Sequence, residues 1–258
     1  MTLDPHRVAI ERNRHAWNDL AASGAALTRA ASDADFASPA DAVDPQRWLR
    51  ERIDGGLHGR RVLCLAAGGG RQGPLFAAAG AVVTVVDLSD AMLARDRAVA
   101  NDRGLSLTIL RASMDDLGEL ADGAFDIVAQ PVSTCYVPSV TPVYAEVSRV
   151  LRSGGLYLSQ HKSPTSLQAN PRATEAGVFL RTSYYTDRPL PEASPCRTRE
   201  PGTVEHLHRW EDLLGGMCRA GMAIEALSEP SHADEPGEHG RRSRYVAPYV
   251  RVLARKHV

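Results

Sequence analysis

The sequence predicts an α/β protein: a doubly wound, mostly parallel seven-stranded sheet with helices on both faces and an antiparallel C-terminal edge. Three observations carry this. From Arg60 to about residue 160, short apolar runs alternate with stretches of helical spacing, the pattern of parallel strands joined by helical crossovers. The first run, Arg61-Val-Leu-Cys-Leu65, passes through Ala66-Ala67 into three glycines, and the next, Val82-Val-Thr-Val-Val-Asp87, stops on an aspartate. The last two apolar runs are joined only by a loop, which suits an antiparallel pair.

Taken in order, residues 8–21 place Val8, Trp17 and Leu20 among charges and predict an amphipathic helix. Residues 45–53 predict a second, short helix, with Asp44 as cap and Pro45 in the first turn, stopped by Gly55-Gly56. Strands are expected near 61–66, 82–87, 105–110, 125–129 and 155–160. The helices between them are expected over 72–79, 89–103 (capped by Ser89 or Asp90) and 140–151. Between 162 and 206 the rhythm breaks on Pro164, Pro171, Pro189, Pro191, Pro195 and Pro201, with only a brief helix expected near 172–180. A loop of this length is usually functional or disordered. A helix over 206–220, a strand near 222–227, a loop over 229–243 and a last strand from Tyr245 to Ala254 complete the reading.

The chain has 258 residues, enough for one domain with a full core. Its 30 Lys+Arg against 31 Asp+Glu give no basic surface for nucleic acid. The one basic cluster, Arg241-Arg-Ser-Arg244, reads as a solvated loop. No apolar run approaches the ~20 residues that span a bilayer, and Met1-Thr-Leu-Asp-Pro-His6 lacks the pattern of a signal peptide. Cys64, Cys135, Cys196 and Cys218 are far apart, without metal-ligand spacing. A cytoplasmic protein with reduced thiols and no metal is the expectation.

Glycines at the end of a parallel strand let an adenosine ligand approach the backbone, and an acid at the tip of the next strand can accept from both ribose hydroxyls. Gly68-Gly-Gly70-Arg-Gln-Gly73 also spells the dinucleotide fingerprint, with Asp87 near the position of its ribose acid. A nicotinamide-dependent oxidoreductase is therefore one reading. Against it, Ala66-Ala67 displace the turn, and no clear second mononucleotide half is present downstream.

The order of segments resembles the class I S-adenosylmethionine-dependent methyltransferases, in particular their compact small-molecule branch. Cys64-Leu-Ala-Ala-Gly-Gly-Gly70 falls on the family's first motif, with Cys64 in place of its acid and Ala66 in place of its first glycine. Asp87 matches the ribose-binding acid, and Leu88-Ser89 match the two residues after it. Ala112-Ser-Met-Asp-Asp-Leu117 matches the segment flanking the adenine, with Ser113 where an aspartate is common. Phe125-Asp-Ile-Val128 matches the fourth strand, and Glu146-Val-Ser-Arg-Val-Leu-Arg-Ser-Gly-Gly-Leu156 the next helix, turn and fifth strand.

The resemblance implies a Rossmann-like methyltransferase fold that binds S-adenosylmethionine. Its cofactor residues are then Ala66, Ala67, Gly68, Gly70, Asp87, Leu88, Ser113 and Met114. Gln130, just past the fourth strand, lies where a side chain faces the methionine half. A cofactor-binding module without catalysis is a further alternative. The expected plan is one domain with an N-terminal helical cap (1–57), a cofactor-binding core (58–161), a substrate-cap insertion (162–206) and a C-terminal helix with edge strands (207–258).

Methyl transfer from a sulfonium is an in-line displacement that needs a base only when the acceptor must lose a proton. Gln130-Pro-Val-Ser133 keeps one proline of the nucleobase-methylating pattern and loses the rest, which points to a small-molecule acceptor, methylated at O, N or C. Three residues are candidates to act on it. His161 follows the fifth strand at the carboxyl edge, His208 lies in His206-Leu-His-Arg-Trp210, and Tyr136 follows the fourth strand. Each histidine also reads as an ordinary hydrogen-bonding residue. Tyr136, Tyr184, Tyr185 and Trp210 are candidate pocket walls. A monomer or homodimer is expected.

Overall fold

The computed structural model of the chain describes residues 4–192 and 196–257, so residues 1–3, 193–195 (Pro195 among them) and 258 lie outside the described residues. The strands are β1 (Arg61–Leu65), β2 (Val82–Asp87), β3 (Leu107–Arg111), β4 (Phe125–Gln130), β5 (Leu151–Lys162), β6 (Met222–Ser228) and β7 (Tyr249–Lys256). They form one seven-stranded sheet in the order β3-β2-β1-β4-β5-β7-β6. The five strands β1 to β5 run parallel, while β7 is antiparallel to both β5 and β6. The strand order reverses between β1 and β4, the switch point at which open α/β sheets bind ligands beyond their carboxyl ends.

The two faces of the sheet follow from side-chain alternation. Along β1, Leu63 and Leu65 enter one core with Val128, Tyr144, Val147 and Tyr157. Val62 and Cys64 enter the other, with Phe76, Val85, Leu93 and Ile127. The helices are α1 (Pro5–Ala22), α2 (Asp33–Ala37), α3 (Pro39–Val43), α4 (Gln72–Ala78), α5 (Asp90–Arg103), α6 (Thr141–Val150), α7 (Pro164–Gln168), α8 (Gly216–Arg219) and α9 (Gly237–Ser243). Helix α5 starts on Ser89, whose hydroxyl accepts from Met92 N, and stops on Gly104 at φ +63°. Both ends are legible as local chemistry. No helix of the described residues is long and apolar enough to cross a membrane.

Several expectations are corrected. Residues 45–53 form turns, not a helix, because Arg47 sits at φ +61° and the Asp44 carboxylate accepts from Leu49 N and Arg50 N, both 3.0 Å. Residues 172–180 form a folded-back loop, with Asn170 N donating to Phe179 O and Gly177 at φ +112°; the short helix of this region is α7 instead. Residues 206–209 run extended, with His206 N donating to Cys135 O, so helix begins only at Trp210 and passes through a wide turn (Glu211–Gly215) into α8. The loop at 229–243 contains α9, and the last strand starts at Tyr249 rather than Tyr245.

Candidate functional site

A cavity of about 580 Å³ opens at the carboxyl edge of the sheet. Residues at the end of each parallel strand or just beyond it line it: Ala66–Gly69 after β1, Asp87 at the end of β2 and Leu88 after it, Ala112–Met114 after β3, Pro131–Ser133 after β4, and Gln160 with Lys162 on β5. Of the predicted cofactor residues, Ala66, Ala67, Gly68, Asp87, Leu88, Ser113 and Met114 are thereby brought together.

The glycine turn is built for close approach. Ala66 leaves β1 at φ +49°, a left-handed conformation that costs a non-glycine residue about 1–2 kcal/mol. A Cβ on Gly68 would lie 2.8 Å from Met92 Cβ and 2.9 Å from Asp87 Oδ2, so this position has room for backbone only. Gly68 N donates to Asp87 Oδ2 (2.8 Å) and Ser89 N to Asp87 Oδ1 (2.9 Å). Burial raises the Asp87 pKa, and these backbone donors oppose that shift. A carboxylate offers about four lone-pair directions, so capacity for two hydroxyl donors remains. Gly70 is placed differently. It does not line the cavity, and a Cβ there would strike Val99 Cγ2 at 2.8 Å, so it serves the packing of the turn on α5.

Beneath the turn lies a carboxylate that the sequence reading did not single out. Asp96, on α5 and fully buried, accepts from Gly69 N through Oδ2 (2.8 Å), while its Oδ1 has no partner among the described residues. Burial pushes its pKa up to about 7, against the pull of the Gly69 and Gly70 N–H groups. With Cys64 in the first-motif acid position, Asp96 supplies the carboxylate that pins this loop, from the neighbouring helix.

Ser113 and Met114 flank the cavity, but the Ser113 hydroxyl is turned to Asp115. Gln130 lies below the floor. Its amide donates to Met114 Sδ (3.2 Å) and Ser133 Oγ (2.8 Å), and its Oε1 accepts from Tyr157 OH (2.5 Å). Every polar atom of Gln130 is engaged, so it holds Met114 and Ser133 in place.

The three catalytic candidates separate in the same way. Tyr136 lines the cavity. His161 is fully buried between Thr134 Oγ1 and Ser159 Oγ, 2.9 Å from each, and burial with the nearby His208 lowers its pKa to about 3. His208 donates from Nε2 to Thr134 O (2.9 Å) and Val137 O (3.0 Å), and burial lowers its pKa. Neither histidine lines the cavity. Both clamp the turn Thr134–Tyr136 that carries Tyr136. Of the other aromatics proposed as walls, Tyr184, Tyr185 and Trp210 do not line it, whereas Trp17 and Tyr249 do.

Around Tyr136 the structure assembles a polar group that sequence reasoning missed. Tyr136 OH donates to Glu200 Oε2 (2.5 Å), which also accepts from Lys162 Nζ (2.6 Å). Lys162 further pairs with Glu205 (3.3 Å), itself paired with Arg199 (3.2 Å). Burial alone would lower the Lys162 pKa, but Cys135, Glu200 and Glu205 outweigh it and hold the ammonium charged. Burial and Glu200 raise the Tyr136 phenol, so it stays protonated as a donor. Tyr136, Lys162 and Glu200 all face the cavity. No spacing in the sequence announces Glu200, which lies 64 residues from Tyr136.

The "Methyltransferase domain" family matches residues 63–159, the stretch from β1 to β5. An uncharacterized methyltransferase, YbaJ, of Bacillus subtilis is 36% identical over 177 residues, covering 67% of this chain and 69% of that one. The chain belongs to the class I S-adenosylmethionine-dependent methyltransferases. A ubiquinone biosynthesis O-methyltransferase of Bordetella avium is 30% identical over 186 residues, 71% of each chain. In fold, the S-adenosylmethionine-dependent methyltransferase of Mesorhizobium loti superposes with a TM-score of 0.68 at 24% identity, over 86% of this chain and all of that one. As a class I methyltransferase the protein uses S-adenosylmethionine, and the cradle of Gly68, Asp87 and Met114 suits that cofactor. The oxidoreductase alternative is not favoured: β7 is inserted antiparallel between β5 and β6 where a second mononucleotide half would continue the parallel sheet.

Proposed function

We propose that this methyltransferase acts on a small molecule, at an oxygen that carries a proton, in the end of the cavity walled by Tyr136, Lys162 and Glu200. The observation that carries this reading is the Glu200 carboxylate. Among the described residues both hydrogen bonds to its carboxylate fall on Oε2, which leaves Oε1 for a donor on the acceptor. Nitrogen and carbon acceptors remain the alternatives. The cavity volume lies in the roughly 300–1,000 Å³ range of small-molecule sites. The Bordetella relative, named an O-methyltransferase, supports the choice of oxygen. On the same reading the enzyme is cytoplasmic, a monomer or homodimer, and does not act on nucleic acid.

The cofactor supplies a methyl group already activated on a sulfonium sulfur. Asp87 would accept from the ribose hydroxyls, the Gly68–Gly69 backbone would lie against the ligand, and Ala66, Ala67, Leu88, Ser113 and Met114 would enclose its adenosine half. Glu200 orients the acceptor hydroxyl and takes its proton, while the hydrogen bonds from Lys162 and Tyr136 fix the angle of that carboxylate. Water is excluded by two segments. Ile10, Asn13 and Trp17 of α1 cover one side, and Arg197 and Glu200 of the insertion cover the other. We read 1–57 and 162–206 as this cover, and 58–161 as the cofactor core.

The test is S-adenosylhomocysteine formation by the wild type and Glu200→Gln against a panel of phenols, alcohols, amines and carbon acids. The expected result is an O-methylated product, and a loss in the variant of about 10²–10⁴-fold, the scale of general-base catalysis, with unchanged S-adenosylhomocysteine affinity. Products methylated only at nitrogen or carbon, or undiminished turnover in Glu200→Gln, contradict it.

A further inference from the structure

Behind the acceptor wall, on the loop between β6 and β7, three side chains converge. His232 Nδ1 lies 2.6 Å from Glu235 Oε1, and the His232 and His239 rings are 5.3 Å apart. One ligand atom from each of His232, Glu235 and His239 lies within 4.8 Å of the others. We propose that these three residues bind one divalent transition-metal ion, with zinc the expected occupant. In tetrahedral zinc sites with bonds of ~2.1 Å, ligand atoms stand roughly 3.4 Å apart. The His232–Glu235 contact therefore opens by under about 1 Å, and His239 closes by on the order of 1 Å. Side-chain rotation supplies both changes. On binding, His232 Nδ1 would exchange its hydrogen bond to Glu235 for a bond to the metal.

The surroundings have the features of a built site. The second oxygen of Glu235 is held by Arg197, in the manner of the outer hydrogen bonds that orient metal-bound carboxylates. The His232 ring packs edge-on against Tyr249, centroids 5.6 Å apart. The loop folds back on α9 so closely that a Cβ on Gly240 would fall 1.8 Å from Glu235 O. The remaining cations nearby are committed elsewhere. Arg242 holds Ser166 and the Asn170 carbonyl, and Arg241 pairs with Glu238. Two imidazoles and one carboxylate select zinc and its transition-metal neighbours over calcium or magnesium, which prefer oxygen donors.

Arg197 and Tyr249, which touch this cluster, also line the cavity. The metal would thus stiffen the wall of the site without entering it.

The experiment uses the whole chain, without a polyhistidine tag and stripped by chelator. Zinc is titrated by calorimetry and cobalt(II) by its visible absorption, for the wild type, His239→Ala, His232→Ala and, as control, the exposed surface variant His15→Ala. The expected result is one equivalent bound with a tetrahedral cobalt spectrum. The affinity should fall at least ~10-fold in each site variant and hold in His15→Ala. Zinc should also raise the melting temperature of the wild type and not that of His239→Ala. Absence of saturable binding, or binding that survives both site substitutions, overturns the proposal. So does binding abolished by alkylating the cysteines while the histidine variants still bind.

Discussion

Asp96 and Asp87 sit on either side of the same glycine turn, and their environments divide the work between them. Asp87 accepts two backbone donors and faces the cavity. Asp96 accepts from Gly69 N below it and has an oxygen with no partner among the described residues. Its pKa stands at about 7 in the fold, against 3.8 ordinarily. An acid raised in this way favours the folded state in its protonated form. Its contribution is therefore fully present below about pH 4 and is lost as pH rises to about 7, at about 1.4 kcal/mol per unit. Asp96→Asn keeps an acceptor for Gly69 N and removes the titration. Relative to wild type, its melting temperature should rise between about pH 4 and about pH 7. A difference that stays flat over that range contradicts the role given to Asp96. The left-handed Ala66 is a second local departure, a strained residue at the mouth of the site.

At the scale of elements, glycines with the same letter do different things. A Cβ on Gly73 would fall 2.4 Å from Val85 Cγ2, so α4 can lie on β2 only because that side chain is missing. Gly73→Ala should cost about 1–3 kcal/mol in urea unfolding, the scale of overpacking, while folded protein keeps its S-adenosylhomocysteine affinity. A variant as stable as wild type would show that α4 does not need this contact. The strands were legible because burial on both faces makes them continuous apolar runs, and β2 has the bounds the sequence predicted. The helix α5 was legible from its Ser89 cap. The segment 45–53 was not, because Arg47 at positive φ and the reach of Asp44 across five residues leave no trace in a helical pattern. His161 and His208 were misplaced for a similar reason. His161, read as following the fifth strand at the carboxyl edge, lies within β5 and turns to Thr134 and Ser159. His208, expected in a helix over 206–220, lies before the helix and turns to the Thr134 and Val137 carbonyls.

Across the whole molecule, the cover of the cavity is assembled from distant stretches of chain. Asn13 joins them: its amide donates to Tyr136 O (2.9 Å) and Val204 O (3.0 Å), and its Oδ1 accepts from Val204 N (2.7 Å). The latter partners are 191 residues apart, which is why neither the role of Asn13 nor that of Glu200 was visible in sequence order. Asn13→Ala leaves buried backbone groups unpaired. The expected loss is about 1–3 kcal/mol of stability by urea unfolding, accompanied by faster proteolysis in 163–206 than in the sheet. Cleavage that does not favour that segment would mean that Asn13 does not hold the cover. What was legible at this scale is the order of motifs from β1 to β5, since they mark the parallel strands or the turns after them, and the fold brings the carboxyl ends of those strands together. The acceptor end was not legible, being built by Tyr136, Lys162 and Glu200 from separate parts of the chain.

The central claim, that the cavity above Asp87 holds the adenosine cofactor, is tested most directly by calorimetric titration of wild type and Asp87→Ala with S-adenosylhomocysteine and with NADH. The account predicts micromolar binding of S-adenosylhomocysteine and none of NADH. In Asp87→Ala that binding should weaken by about 1.5–3 kcal/mol, roughly 10- to 150-fold, for the loss of charge-assisted hydrogen bonds. Binding of NADH in place of S-adenosylhomocysteine, or an affinity unchanged in Asp87→Ala, would contradict it.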